Sequence, residues 1–77
     1  MRILVVEDDP DINRQLVTAL QDQGYVVDAA KDGEEGHFLG DTEPYDAVVL
    51  DLGLPVIDGV SVLEKWRRAG HKMPVLI

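Results

Sequence analysis

Two short apolar runs, Ile3-Leu4-Val5-Val6 and Ala47-Val48-Val49-Leu50, both stop abruptly in carboxylates, the first in Glu7-Asp8-Asp9 and the second in Asp51. An apolar run of this length without polar alternation is the pattern of a strand covered on both faces. A parallel sheet between helical layers covers its strands in that way. Open sheets of this kind bind ligands beyond the carboxyl ends of their strands. If the two runs are neighbours, their acids meet at one edge, where like charges repel and a divalent cation would relieve the repulsion.

The punctuation between the runs supplies the helices. Asp9-Pro10 reads as an N-cap followed by proline at the first helical position. Ile12, Leu16, Ala19 and Leu20 then recur at helical spacing up to a stop at Gly24. Tyr25–Ala30 reads as a second strand, β-branched at its centre. Asp32-Gly33 marks a turn or cap, and Glu34–Leu39 reads as a short helix. Gly36 and Gly40 weaken that reading, since a glycine costs a helix interior about 1 kcal/mol. Pro44 ends the segment, and a third strand spans Asp46 to Leu50. The loop Asp51–Asp58 carries Pro55 and leads through Asp58-Gly59 into a third helix, lined on one side by Val60, Val62, Leu63 and Trp66. Its cations Lys65, Arg67 and Arg68 gather near the C-terminal end, where they suit the helix dipole. Gly70 closes it, and Met73–Ile77 begins a fourth strand. Strand and helix alternate as right-handed βαβ units require, with no repeat and no linker.

Charge and composition remove several classes of function. A formal net charge of −8 argues against direct contact with nucleic acid or an anionic membrane. No apolar stretch reaches the roughly 18 residues that span a bilayer, and the absence of cysteine excludes disulfides and thiolate metal sites. A cytoplasmic location is expected. Seventy-seven residues are few for a sheet that needs helices on both faces, which suggests part of a domain.

The acids divide by position. Asp9, directly before Pro10, is placed to cap the first helix, whereas Glu7 and Asp8 lie nearer the strand and are poorly placed to do so. Asp51 alone could simply close a strand or a turn. Acids at the ends of both the first and the third strand need a further reason, and a Mg²⁺ site assembled from separate segments provides one. His37 and His71 lack metal-ligand spacing and read as solvated surface positions, and Trp66 reads as core or interface filler. No glycine-rich loop follows the first strand, which disfavours a dinucleotide fold.

The stretches Ile3-Leu4-Val5-Val6-Glu7-Asp8-Asp9-Pro10 and Val48-Val49-Leu50-Asp51-Leu52-Gly53-Leu54-Pro55-Val56-Ile57-Asp58-Gly59 resemble the receiver domain of bacterial two-component response regulators. The likeness extends over the whole chain, and the local wording is most similar to the winged-helix OmpR/PhoB-type transcriptional regulators. The resemblance implies a flavodoxin-like α/β fold, a doubly wound parallel sheet of strand order 2-1-3-4. It also implies that residues 1–77 are the N-terminal part of one receiver domain, without its final strand, last two helices and any output domain.

In functional terms the resemblance makes Asp51 the phosphoacceptor, loaded by a sensor histidine kinase. Asp8 and Asp51 would ligate Mg²⁺, with Mn²⁺ as a substitute, together with the backbone carbonyl of Gly53 and with Glu7 acting through a water. Such a domain is a signalling acceptor rather than an enzyme, and the parent would control transcription through a separate DNA-binding domain. Gly53 stands where the family often has a larger side chain, and Val56 where it often has glycine. The family's switch hydroxyl and lysine have no counterpart here; Lys65 and Lys72 belong to the third helix or its exit loop. A haloacid-dehalogenase-type phosphatase needs an Asp-x-Asp pattern after the first strand, and a primase/topoisomerase-type metal domain needs a second acid within Asp51-Leu52-Gly53. Both patterns are absent. The rival that remains is a chemically inactive fragment serving self-association. Either way, the uncovered sheet face and the apolar fourth strand predict a homodimer or higher assembly.

Overall fold

The computed structural model describes residues 1–77. Its elements are β1 (Arg2–Val6), α1 (Pro10–Asp22), β2 (Val26–Ala30), α2 (Gly33–Thr42), β3 (Ala47–Leu50), α3 (Gly59–Arg68) and β4 (Val75–Leu76). The strands form one parallel sheet in the order β2-β1-β3-β4, the flavodoxin-like arrangement expected from the sequence.

Alternation along the strands divides the core between the two faces. Leu4, Val6, Val48 and Leu50 are buried in one cluster with Leu54, Val62 and Trp66, under α2 and α3. Ile3 and Val5 point the other way, toward α1, and are buried as well. That second face is only partly covered. Ala47 and Val49 are half-buried, and α1 has no buried residue at all. Its inward side is Asn13, Leu16, Val17 and Leu20, whereas Ile12, expected to face inward, is 47% exposed.

Several boundaries move for identifiable reasons. β2 begins at Val26 because the Tyr25 N–H still bonds the Leu20 carbonyl of α1, at 3.3 Å. α2 runs the full length from Gly33 to Thr42, not Glu34–Leu39, and its glycines are why it can. A Cβ at Gly36 would strike the Val6 side chain, and one at Gly40 would strike the Trp66 ring. Both glycines are contact points at which α2 presses onto β1 and α3. Val60 is 48% exposed, so the buried side of α3 is Gly59, Val62 and Trp66. β4 shrinks to two residues that pair only with β3. His71 is not simply solvated. Its Nε2 lies 2.7 Å from Asp41 Oδ1, joining the exit of α3 to α2.

The amino ends of the strands are held by a polar network. Arg2 Nη2 bonds Asp28 at 2.8 Å and Glu43 at 3.1 Å, with its guanidinium 5.0 Å from the Tyr45 ring centroid. The Tyr45 hydroxyl donates to the same Asp28 oxygen at 2.7 Å. The Arg2 N–H donates to Asp46 at 2.7 Å, and the Asp46 N–H returns a bond to the Arg2 carbonyl at 2.8 Å, just before β3 begins.

Candidate functional site

Sheet register brings the acids together. Val6 pairs with Ala30 on one side and Leu50 on the other, so β1, β2 and β3 end level. One more bond on each side, Glu7 N–H to Ala30 O at 3.1 Å and Asp51 N–H to Val6 O at 3.0 Å, carries the ladder to the first acidic residues. One carboxylate oxygen from each of Glu7, Asp8 and Asp51 then lies within 4.8 Å of the others. The sequence expectation that these three converge holds.

The electrostatics are those of a site short of positive charge. None of the three acids takes part in an ion pair. Burial pushes the Glu7 carboxyl above the usual carboxylate range. The Asp9 N–H, 3.2 Å from Glu7 Oε1, opposes that rise, while the nearby Asp51 and Asp8 charges reinforce it. Asp51 is half-buried, and its Oδ1 accepts from the Gly53 N–H at 3.0 Å, which fixes the side chain against the following loop. At Gly53 a Cβ would stand 3.7 Å from Asp51 Oδ1, ordinary contact, so glycine leaves open space there. At Gly59 a Cβ would meet the Asp51 carbonyl, and only glycine lets α3 start so close beneath the strand end.

Asp9 and Asp58 have other roles, as expected. Asp9 Oδ1 accepts from Asp11 and Ile12 N–H at 2.9 and 3.1 Å, capping α1. Asp58 caps α3 through the Ser61 N–H and hydroxyl, both at 3.0 Å, and those bonds hold its carboxyl below the usual range. In the intervening loop the Ile57 N–H bonds the Pro55 carbonyl at 2.9 Å across Val56, whose φ is +71°. This is a γ-turn of the rare positive-φ type, formed around a β-branched residue for which that conformation is a clear outlier.

A hard, all-oxygen donor set with negative charge to spare fits Mg²⁺ or Mn²⁺ and would not attract a soft metal. The sequence reading missed Asn13. Its side-chain amide spans the Glu7 and Ala30 carbonyls at 2.9 and 3.1 Å. The only sequence signal for it was a polar residue at helical spacing with Leu16, Val17 and Leu20.

The comparisons agree with this geometry. The family model for the response regulator receiver domain matches residues 3–77. The transcriptional regulatory protein QseB of Haemophilus influenzae is 48% identical over the whole chain, which covers 35% of that protein. The virulence transcriptional regulatory protein PhoP of Salmonella typhimurium is 42% identical, again over the whole chain and 34% of its own length. The chain thus spans about a third of these relatives. Among solved structures, response regulator protein TrrA of Thermotoga maritima in complex with Mg²⁺-BeF superposes with a TM-score of 0.90 at 38% identity, covering 96% of this chain and 64% of TrrA. TrrA in complex with the histidine kinase ThkA gives 0.87 with the same identity and coverage. Sequence, fold and strand-end acids lead to one statement: the chain belongs to the response regulator receiver domain family.

Proposed function

We propose that this chain accepts a phosphoryl group on Asp51 from a sensor histidine kinase, in a Mg²⁺-dependent relay. The observation that carries the reading is the convergence of Glu7, Asp8 and Asp51 at the level ends of β1 and β3. A carboxylate oxygen of Asp51 forms a bond to phosphorus as the phosphorus–nitrogen bond of a phosphohistidine breaks. The imidazole, protonated on its other nitrogen, leaves as the neutral side chain. Asp8 and Asp51 would hold the cation directly, with the Gly53 carbonyl, and Glu7 through a water. When bound, the cation neutralises charge on the transferred group and on the acids. The Gly53 N–H keeps the acceptor side chain in one orientation, and the absence of a side chain at Gly53 leaves room beside it.

Support for the cation and the kinase comes from TrrA, solved with Mg²⁺-BeF and with ThkA. Support for a transcriptional output of the whole regulator comes from QseB and PhoP, of which this stretch is about a third. We read residues 1–77 as the N-terminal part of a single cytoplasmic receiver domain, with DNA contacted by another part of the regulator. The half-covered face beside α1, the exposed Leu76 of β4 and the exposed Ile77 that follows it favour self-association of the chain on its own, which light scattering would reveal.

Intact-mass measurement tests the acceptor. With Mg²⁺ and a small phosphodonor, the full-length regulator gains one phosphoryl group and its Asp51→Asn variant gains none, while the isolated chain reacts more slowly. A phosphorylated Asp51→Asn variant would sink the assignment. Cation titration tests the ligands: affinity is weak, roughly millimolar, because Mg²⁺ gives up its waters reluctantly. Asp8→Asn weakens it strongly and Asp9→Asn much less.

A further inference from the structure

We propose that Asn13 positions the acids for the cation by locking the peptide plane between Glu7 and Asp8; this rests on the metal reading above. Regular strand pairing ends at Val6, and the chain leaves the sheet through Glu7. The Asn13 side-chain nitrogen carries two hydrogens. They go to the Glu7 carbonyl at 2.9 Å and the Ala30 carbonyl at 3.1 Å. The Ala30 oxygen also accepts the Glu7 N–H at 3.1 Å. Both backbone polar groups of Glu7 are therefore tied, one directly to the end of β2 and the other through Asn13 to the same oxygen.

The base of this clamp is rigid. Asn13 lies in the first turn of α1, its own N–H bonded to the Asp9 carbonyl at 2.9 Å, in a helix start already capped by Asp9. The Glu7 carbonyl belongs to the peptide unit that ends in the Asp8 nitrogen, so fixing that oxygen fixes the direction in which Asp8 departs. Asp8 has no ladder partner to do this for it. Groups that orient ligands from behind are worth roughly 10–100-fold in metal affinity when removed. An amide has the right geometry for such a clamp, because one nitrogen donates twice, at an angle that spans two neighbouring carbonyls.

Two substitutions separate positioning from charge. Asn13→Asp keeps the shape and adds a negative charge near the acids, which by charge alone would tighten cation binding. It also replaces the two donors with an acceptor facing two carbonyls, which would release the Glu7–Asp8 plane and weaken binding. Asn13→Ala removes the donors and adds no charge. Calorimetric Mg²⁺ titration, repeated with Mn²⁺ by water-proton relaxation, should show both variants binding roughly ten-fold more weakly than the wild-type chain. Amide exchange at Glu7, whose N–H bonds the Ala30 oxygen that Asn13 also holds, should accelerate in both. Arg2→Ala, at the opposite edge of the sheet, lowers stability and leaves cation affinity unchanged, which separates positioning from a general loss of structure. Wild-type affinity in Asn13→Ala, or tighter binding in Asn13→Asp, would overturn the inference while leaving the metal reading intact. A wild-type chain that binds neither cation would overturn the metal reading, and this inference with it.

Discussion

The two edges of the sheet carry the same kind of residue and treat it in opposite ways. At the amino edge Asp28, Glu43 and Asp46 all bond to Arg2, and Tyr45 adds a hydroxyl to Asp28. Those donors hold the Asp28 carboxyl below the usual range, Tyr45 contributing most and Arg2 next. At the carboxyl edge Glu7, Asp8 and Asp51 face one another with no basic side chain paired to any of them, and Glu7 is pushed up. The adjoining loop adds a β-branched residue at positive φ. One edge contributes stability and the other gives some of it away, as is common where residues are arranged for function rather than for stability. The contrast predicts a reversal of sign: substitutions at the amino edge weaken the fold, and well-chosen ones at the carboxyl edge strengthen it.

The largest effect should come from Tyr45→Ala. Tyr45 packs against the core cluster, lies beside the Arg2 guanidinium and bonds Asp28. Losing a partly buried aromatic and its hydrogen bond should cost about 2–3 kcal/mol in chemical denaturation. A loss no larger than that of an ordinary surface substitution would mean the amino edge is decoration and would break the comparison.

Val56→Gly should move stability the other way. A side chain at φ +71° carries a cost of about 1–2 kcal/mol that glycine does not, and the greater freedom of glycine in the unfolded chain takes back part of the gain. A net stabilisation of about 1 kcal/mol is expected by the same denaturation measurement. Val56 is 73% exposed, so little packing is lost with it. Destabilisation by Val56→Gly would show that the γ-turn is not the strained element.

Acid titration sharpens the contrast, because the two edges should slope oppositely. Asp28 is depressed, so its contribution is present above the ordinary aspartate range and disappears as pH falls through its lower folded value. Glu7 is raised, so its cost is absent below the ordinary glutamate range and grows as pH rises through its higher folded value. Tyr45→Phe should lose most, relative to wild type, at neutral pH and converge with it in acid. Glu7→Gln should gain most at neutral pH and likewise converge in acid. Parallel stability–pH curves for the two variants would remove the electrostatic basis of the comparison.

The contrast also explains what was legible in the sequence. The buried strands and the carboxyl-edge acids were legible in the continuous apolar runs that end in Glu7 and Asp51, because such runs mark burial on both faces, whereas the strand order came with the family resemblance. The residues that were missed answer to contacts distant in sequence. Gly36 and Gly40 argue against a helix by propensity, yet they are selected by Val6 and Trp66 pressing on α2. His71 meets Asp41 across 30 residues with no local pattern to announce it. Asn13 broke the apolar stripe of α1, so the spacing argument passed over it and chose Ile12 and Ala19, which are exposed.

The smallest expected effect is the most discriminating. Asp8→Asn removes one of three mutually repelling charges at an exposed position, so the metal-free chain should gain only about 0.5 kcal/mol. A cation reverses the order. A ligand that binds only the folded state adds stability as RT ln(1 + [L]/Kd), about 1.4 kcal/mol at ten times Kd. The wild-type chain should collect that increment as Mg²⁺ is raised past the millimolar range, while Asp8→Asn, having lost a direct ligand, collects little. The two stability curves should therefore cross as Mg²⁺ increases, with the variant ahead at zero and the wild type ahead at saturation. Arg2→Met at the amino edge should show no such crossing, because its deficit is independent of the cation. If Asp8→Asn is less stable than wild type at every Mg²⁺ concentration, Asp8 is a structural acid like Asp28, and the two edges are alike after all.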